Sequence, residues 1–192
     1  METPVYEETY RDHTIKIIHD PNPENPRDYD NLGTMACWHR RYRLGDKHDH
    51  DDPRDLLIDL CEVSVETDLS INDLVARAVK RAVILPLYLY EHSGITINTT
   101  GFHSPWDSGQ VGYIYVTFED IRKEYGVTRV SKNLRTKITD HLRQERATYD
   151  HYLTGNCYGF VVEKDDEEVE SCWGFLGDYD GYCLAEAKAA VN

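Results

Sequence analysis

Over residues 5–19, apolar and polar side chains alternate on both sides of the polar stretch Tyr10-Arg11-Asp12-His13, and Thr14, Ile15, Lys16 and Ile17 form the clearest run. A period of two belongs to a strand with one buried face, so the chain is predicted to open with a β-hairpin. The pattern stops at residues 20–31, where Pro21, Pro23 and Pro26 withdraw backbone donors and predict an extended loop between elements. A short strand is predicted over 34–42 and a charged loop over 45–53. The spacing of apolar residues then becomes helical. Pro53 suits a first helical position, Asp52 can cap it, and Leu56, Leu57, Leu60 and Cys61 share one face. Ser70 starts a second predicted helix carrying Ile71, Leu74, Val75, Ala78 and Val79, with Asp73 placed to complete a capping box.

The run 83–90 has strand character, but Pro86 cannot donate to a ladder, which predicts an edge strand or one broken there. Strands over 95–97 and 112–116, separated by the Gly, Ser and Pro rich loop 99–110, are expected to pair with each other. Thr117 caps a short predicted helix ended by Gly126, and Ser131 begins a longer one running toward Tyr152 and stopped by Gly155. Strands over 158–164 and 168–175 flank the turn Asp165-Asp166-Glu167, and an alanine-rich helix follows from about Leu184. Strands and helices intermix without a βαβ rhythm. The predicted fold is therefore α+β: a single domain over 1–192 with one core, a mostly antiparallel sheet and four to five helices.

Charge narrows the function. A formal net charge of −14 repels polyphosphate, so direct nucleic-acid binding is disfavoured, and the acid excess serves either solubility or attraction to a basic partner. No apolar run approaches the ~20 residues of a membrane span, and the acidic opening residues are unlike an export signal, which predicts a cytoplasmic protein without membrane attachment. The five cysteines, Cys37, Cys61, Cys157, Cys172 and Cys183, are scattered and lack a CxxC pair, as expected of reduced thiols packed among apolar residues.

Several clusters could carry chemistry. Asp46, His48 and His50, with neighbouring aspartates, offer oxygen and imidazole donors to a metal, but their spacing matches neither a helical zinc motif nor an EF-hand, and a solvated charged loop is the favoured reading. Trp38, His39, Arg40 and Arg41 interleave cations with aromatics on a predicted strand, a combination suited to a phosphate or carboxylate. His92, Ser104, Asp107 and Ser108 hold the ingredients of a hydrolase without a nucleophile elbow. The basic helices of 118–146 suggest a DNA-binding regulator, although Lys132 and Arg135 fall where a helix-turn-helix needs apolar residues. Asp165, Asp166, Glu167, Glu168 and Glu170 form an acidic surface able to compete for a nuclease's basic groove.

Five phrases carry a resemblance: Asn31-Leu32-Gly33-Thr34-Met35 with Trp38-His39-Arg40-Arg41-Tyr42, then Leu89-Tyr90-Glu91-His92-Ser93-Gly94, Pro105-Trp106-Asp107-Ser108-Gly109-Gln110-Val111-Gly112, and Ser171-Cys172-Trp173-Gly174-Phe175. Together they resemble a family of small proteins of unknown function encoded by bacteriophages, plasmids and gut bacterial genomes. The resemblance implies a mobile-element origin, a bacterial host cytoplasm and an anti-CRISPR or anti-restriction role. The leading expectation is a non-enzymatic inhibitor, without a cofactor, that binds a host defence nuclease or its guide-RNA complex. A small metal-binding protein or hydrolase, and a DNA-binding regulator, are the alternatives.

Overall fold

A computed structural model describes residues 3–191. In chain order its elements are β1 (Tyr6–Tyr10), β2 (His13–His19), a 3-10 turn (Pro26–Asp28), β3 (Thr34–Cys37), α1 (Pro53–Cys61), α2 (Ile71–Ala78), β4 (Ala82–Glu91), β5 (Ile95–Asn98), β6 (Ser108–Thr117), α3 (Phe118–Tyr125), α4 (Lys132–Thr154), β7 (Cys157–Lys164), β8 (Glu167–Leu176) and α5 (Tyr182–Ala190). The fold is α+β, with all strand pairs antiparallel in two four-stranded sheets. No helix among the described residues is long and apolar enough to cross a membrane. The chain divides into two compact units, one formed by residues up to 28 and from 148 onward, the other by residues 29–147, with the division falling inside α4. Where the sequence leads one to expect one core, each unit carries an apolar cluster of its own.

The discontinuous unit holds the sheet β1-β2-β7-β8. Both of its hairpins close through two residues of positive φ, Arg11 and Asp12 in the first and Asp165 and Asp166 in the second. Such primed turns follow the right-handed twist of the strands, and Asp tolerates the left-handed region better than most residues. Period-two alternation sends Ile15, Ile17, Tyr158, Phe160 and Val162 to one face, where Cys183 and Ala187 of α5 cover them. Ile15, Ile17 and Val162 are fully buried, each contributing about 1.5–3 kcal/mol.

The continuous unit holds the sheet β3-β6-β4-β5. Asp52 and Ser70 cap α1 and α2 as the sequence predicts, and the Ser70–Asp73 capping box is complete. These helices bury Leu56, Leu57, Cys61, Leu74 and Ala78 against Ala36 and Tyr113. The residues that alternate with these, Met35 and Ile114, are also fully buried, so the middle of β6 is covered on both faces. Gly33 stands where Leu142 of α4 meets Ile114, and Glu145 accepts the backbone amides of Leu32 (2.9 Å) and Gly33 (3.1 Å).

Two predicted features differ from the structure, and a third holds only locally. β5 and β6 do not pair with each other; each pairs with β4. β4 runs unbroken through Pro86, which faces Tyr113 of β6 on one side, while β5 reaches only Tyr88 to Glu91 on the other. Pro86 therefore sits where β4 is locally an edge and no donor is required of it. The strand predicted over 34–42 ends at Cys37. Beyond it the imidazole Nδ1 of His39 accepts the backbone amides of Arg41 and Tyr42, both at 3.3 Å, and the His39 ring stacks on Tyr42. A side chain that takes backbone donors locally competes with the ladder, and here it makes a turn.

Candidate functional site

The five acids singled out in the sequence gather on one hairpin. Asp165 and Asp166 form the tip of β7–β8, and Glu167, Glu168 and Glu170 follow on β8, the last strand of its sheet; all five are exposed. The ladder register slips between Val162 and Glu163, which leaves Val169 as an extra residue on β8. Glu170 consequently stands opposite buried Val162, on the face that α5 covers, while Glu168 stands opposite Glu163 on the other face. The bulge thus distributes carboxylates around both sides of the hairpin. Lys16 of β2 is held by Glu163 at 2.6 Å, and its ammonium is pushed above the ordinary lysine range by that hydrogen bond. None of the five acids is in an ion pair among the described residues. Glu168 accepts the Ser171 hydroxyl at 2.8 Å.

The aromatic and basic residues Trp38, His39, Arg40 and Arg41 lie on a turn, not on the strand the sequence predicts. Together with Trp106, Asp107, Ser108, Leu89 and Gly109 they line an open groove of about 690 Å³, of which they form one wall. β-pairing explains the assembly. Cys37 faces Gly112 across β3–β6, and Leu89 faces Gly109 across β4–β6, so three phrases distant in sequence converge. The first wall is fixed in place: the Trp38 indole donates to the His50 carbonyl (3.0 Å), Arg41 pairs with Glu91, and the Tyr42 hydroxyl donates to Glu91 (2.9 Å). Arg40 is exposed and makes no ion pair among the described residues, and Trp106 is 94% exposed. A side chain built on Gly109 would meet nothing within 4 Å. Trp38-His39-Arg40-Arg41 and Trp106-Asp107-Ser108 stand apart in the sequence, and only the strand register joins them.

The other candidates have local structural work. The Asp46 carboxylate accepts the Met35 amide at 2.7 Å, while the Asp46 amide donates back to the Met35 carbonyl at 2.8 Å, tying the charged loop to β3. The His48 ring packs on Trp38 at 4.7 Å, with its Nε2 3.2 Å from the Cys37 carbonyl, and His50 lies 3.5 Å from Asp55. Among the described residues no three His, Cys, Asp or Glu side chains are grouped to hold a metal. The Ser104 hydroxyl donates to Asp107 (3.0 Å) and that of Ser108 to the Ser104 carbonyl, and no imidazole among the described residues hydrogen-bonds either serine. In the basic helices, Arg135 lies 4.4 Å over the Phe118 ring and donates to the Val79 carbonyl, Lys137 lies over Tyr125, and Arg143 pairs with Asp140. Arg135, one of the two positions where a helix-turn-helix would be apolar, thus covers a ring and a carbonyl of its own unit.

Compared with protein-family models, with curated proteins and with solved structures, the chain matches none.

Proposed function

We propose that this protein is a binding protein, carried by a phage or another mobile element, that inhibits a host defence nuclease by inserting its acidic β7–β8 hairpin into the basic cleft that otherwise holds nucleic acid. The observation that carries the reading is the exposure of Asp165, Asp166, Glu167, Glu168 and Glu170 on both faces of one hairpin, none of them in an ion pair among the described residues. Carboxylates on a single face would suit a flat basic surface, whereas carboxylates on both faces suit a cleft with two basic walls. The net charge of −14 adds long-range attraction to such a target and speeds encounter. The mobile-element origin and the choice of a CRISPR effector or restriction enzyme rest on the family resemblance of the sequence. The protein's own chemistry supports a basic groove as the target.

The test is to neutralise the hairpin while keeping its turn. Asp165→Asn and Asp166→Asn preserve residues that tolerate positive φ, and Glu167→Gln, Glu168→Gln and Glu170→Gln remove the remaining charge. Binding to a purified panel of CRISPR effectors and restriction enzymes, and inhibition of their cleavage, are expected to weaken by about tenfold or more, with most of the change in association rate and salt dependence. Unchanged inhibition by the neutral hairpin would remove the hairpin from the mechanism.

A further inference from the structure

We propose that the groove between Trp38 and Trp106 is a separate binding site for a mononucleotide, a flat heterocyclic base carrying a phosphate. The site lies wholly in the unit of residues 29–147 and is independent of the acidic hairpin.

The groove supplies a complement to each part of such a ligand. Trp38 and Trp106 both line it; Trp106, 94% exposed, offers a broad π-face, and stacking on a ring tolerates any base. Trp38 is held by its bond to the His50 carbonyl and by the His48 ring, whereas Trp106 projects almost entirely into solvent, where a large apolar ring gains by acquiring a stacking partner. Two guanidinium groups line the same wall but differ in state. Arg41 is taken by Glu91 and so fixes the wall, which leaves the exposed Arg40 as the fork for a phosphate. Asp107 and Gln110 offer acceptors for sugar hydroxyls or base amino groups, the Gln110 amide being oriented by its NH2 donating to the Gly112 carbonyl (3.3 Å). At Gly109 the lining has no side chain, so a flat ring can approach the backbone there. The volume, about 690 Å³, falls within the ~300–1,000 Å³ usual for small-ligand sites. The chain's charge excludes a polymer more than a monomer, because each added phosphate meets the same −14 background.

The experiment titrates the whole protein with AMP, GMP, CMP and UMP, with the matching nucleosides and with inorganic phosphate, following tryptophan fluorescence. At least one nucleotide is expected to quench with saturation and to bind more tightly than either its nucleoside or phosphate alone. Trp106→Ala is expected to weaken nucleotide and nucleoside together by about tenfold or more. Arg40→Ala is expected to lower nucleotide affinity to that of the nucleoside while leaving the nucleoside unchanged. Both residues are exposed, and an unchanged thermal midpoint confirms that the variants fold. Absence of saturable quenching up to millimolar concentration, phosphate binding as tightly as nucleotide, or an Arg40→Ala variant that binds nucleotide normally would each overturn the proposal.

Discussion

Gly112→Ala is expected to destabilise the unit of residues 29–147 by about 3 kcal/mol, the upper end of what overpacking a well-filled site usually costs. A Cβ at Gly112 would lie 2.0 Å from the Ala36 carbonyl oxygen and 2.9 Å from the Cys37 Cα, and both are backbone atoms that no rotamer change can move. The collision falls on the pairing of β3 with β6, which positions Met35 and Ala36 in the core and carries Trp38 to the groove. Relief requires β3 to part from β6, so the same substitution loosens one wall of the nucleotide site. The matched control is Gly109→Ala on the same strand, where a Cβ meets nothing within 4 Å, and it is expected to change stability by no more than about 0.5 kcal/mol. Thermal unfolding reads both. A loss of about 6–12 °C for Gly112→Ala against almost none for Gly109→Ala is the expected pair, and equal midpoints would refute the close approach.

Stability is also expected to fall steeply between about pH 9 and pH 12, through two buried thiols of the discontinuous unit. Burial pushes the Cys183 thiol up to about 12; burial, with the carboxylate of Asp20 beside it, pushes Cys157 up to about 11. A folded pKa above the unfolded one means that the folded chain holds its proton longer. The stabilisation is complete below the ordinary cysteine range and is lost as pH rises toward the folded values. Tyr158 is raised by burial in the same direction and adds to the slope. The combined loss is on the order of a few kcal/mol by pH 12. Urea midpoints measured across this range are expected to drop for the native chain and to drop less for Cys183→Ala, because that variant cannot ionise there. Identical slopes would show that Cys183 does not carry the effect. Thiol labelling gives an independent check at pH 8, where exposed Cys172 is expected to react well before buried Cys61, Cys157 and Cys183.

Local signals in the sequence account for much of the fold. The caps at Asp52, Ser70 and Thr117, the positive-φ glycine at Gly126 and the two-residue hairpin turns all lie within a few residues of the elements they delimit, so short-range chemistry is enough to read them. What the sequence concealed was non-local. Nothing near Ile95 says that its strand pairs with Tyr90 and not with Tyr115, and nothing near Thr34 says that His39 will take two backbone amides and end the strand. The acidic surface was legible because its members are close neighbours in sequence, interrupted only by Val169, although their placement on two faces depends on a bulge at Val169 that no local pattern marks. The groove was legible only in halves. Several residues in the phrases that carry the family resemblance have packing duties that need no ligand: Gly33 fits beside Leu142, Gly112 lets β3 approach, and Trp173 lies over Gly159, where a Cβ would meet its ring at 2.1 Å.

The discontinuous unit also orders events during synthesis. Residues 29–147 leave the ribosome as one stretch and contain every strand of their own sheet, so this unit can fold while the chain is still growing. The β1–β2 hairpin emerges first but stays incomplete, because its partner β7 begins only at Cys157 and the helix that covers their shared face is made last. Until then Ile15 and Ile17 have no core to enter, and a two-stranded hairpin alone is marginal in water. The unit bearing the acidic hairpin is therefore the later of the two to mature, and its closure requires the longest-range strand pairing among the described residues, between β2 and β7.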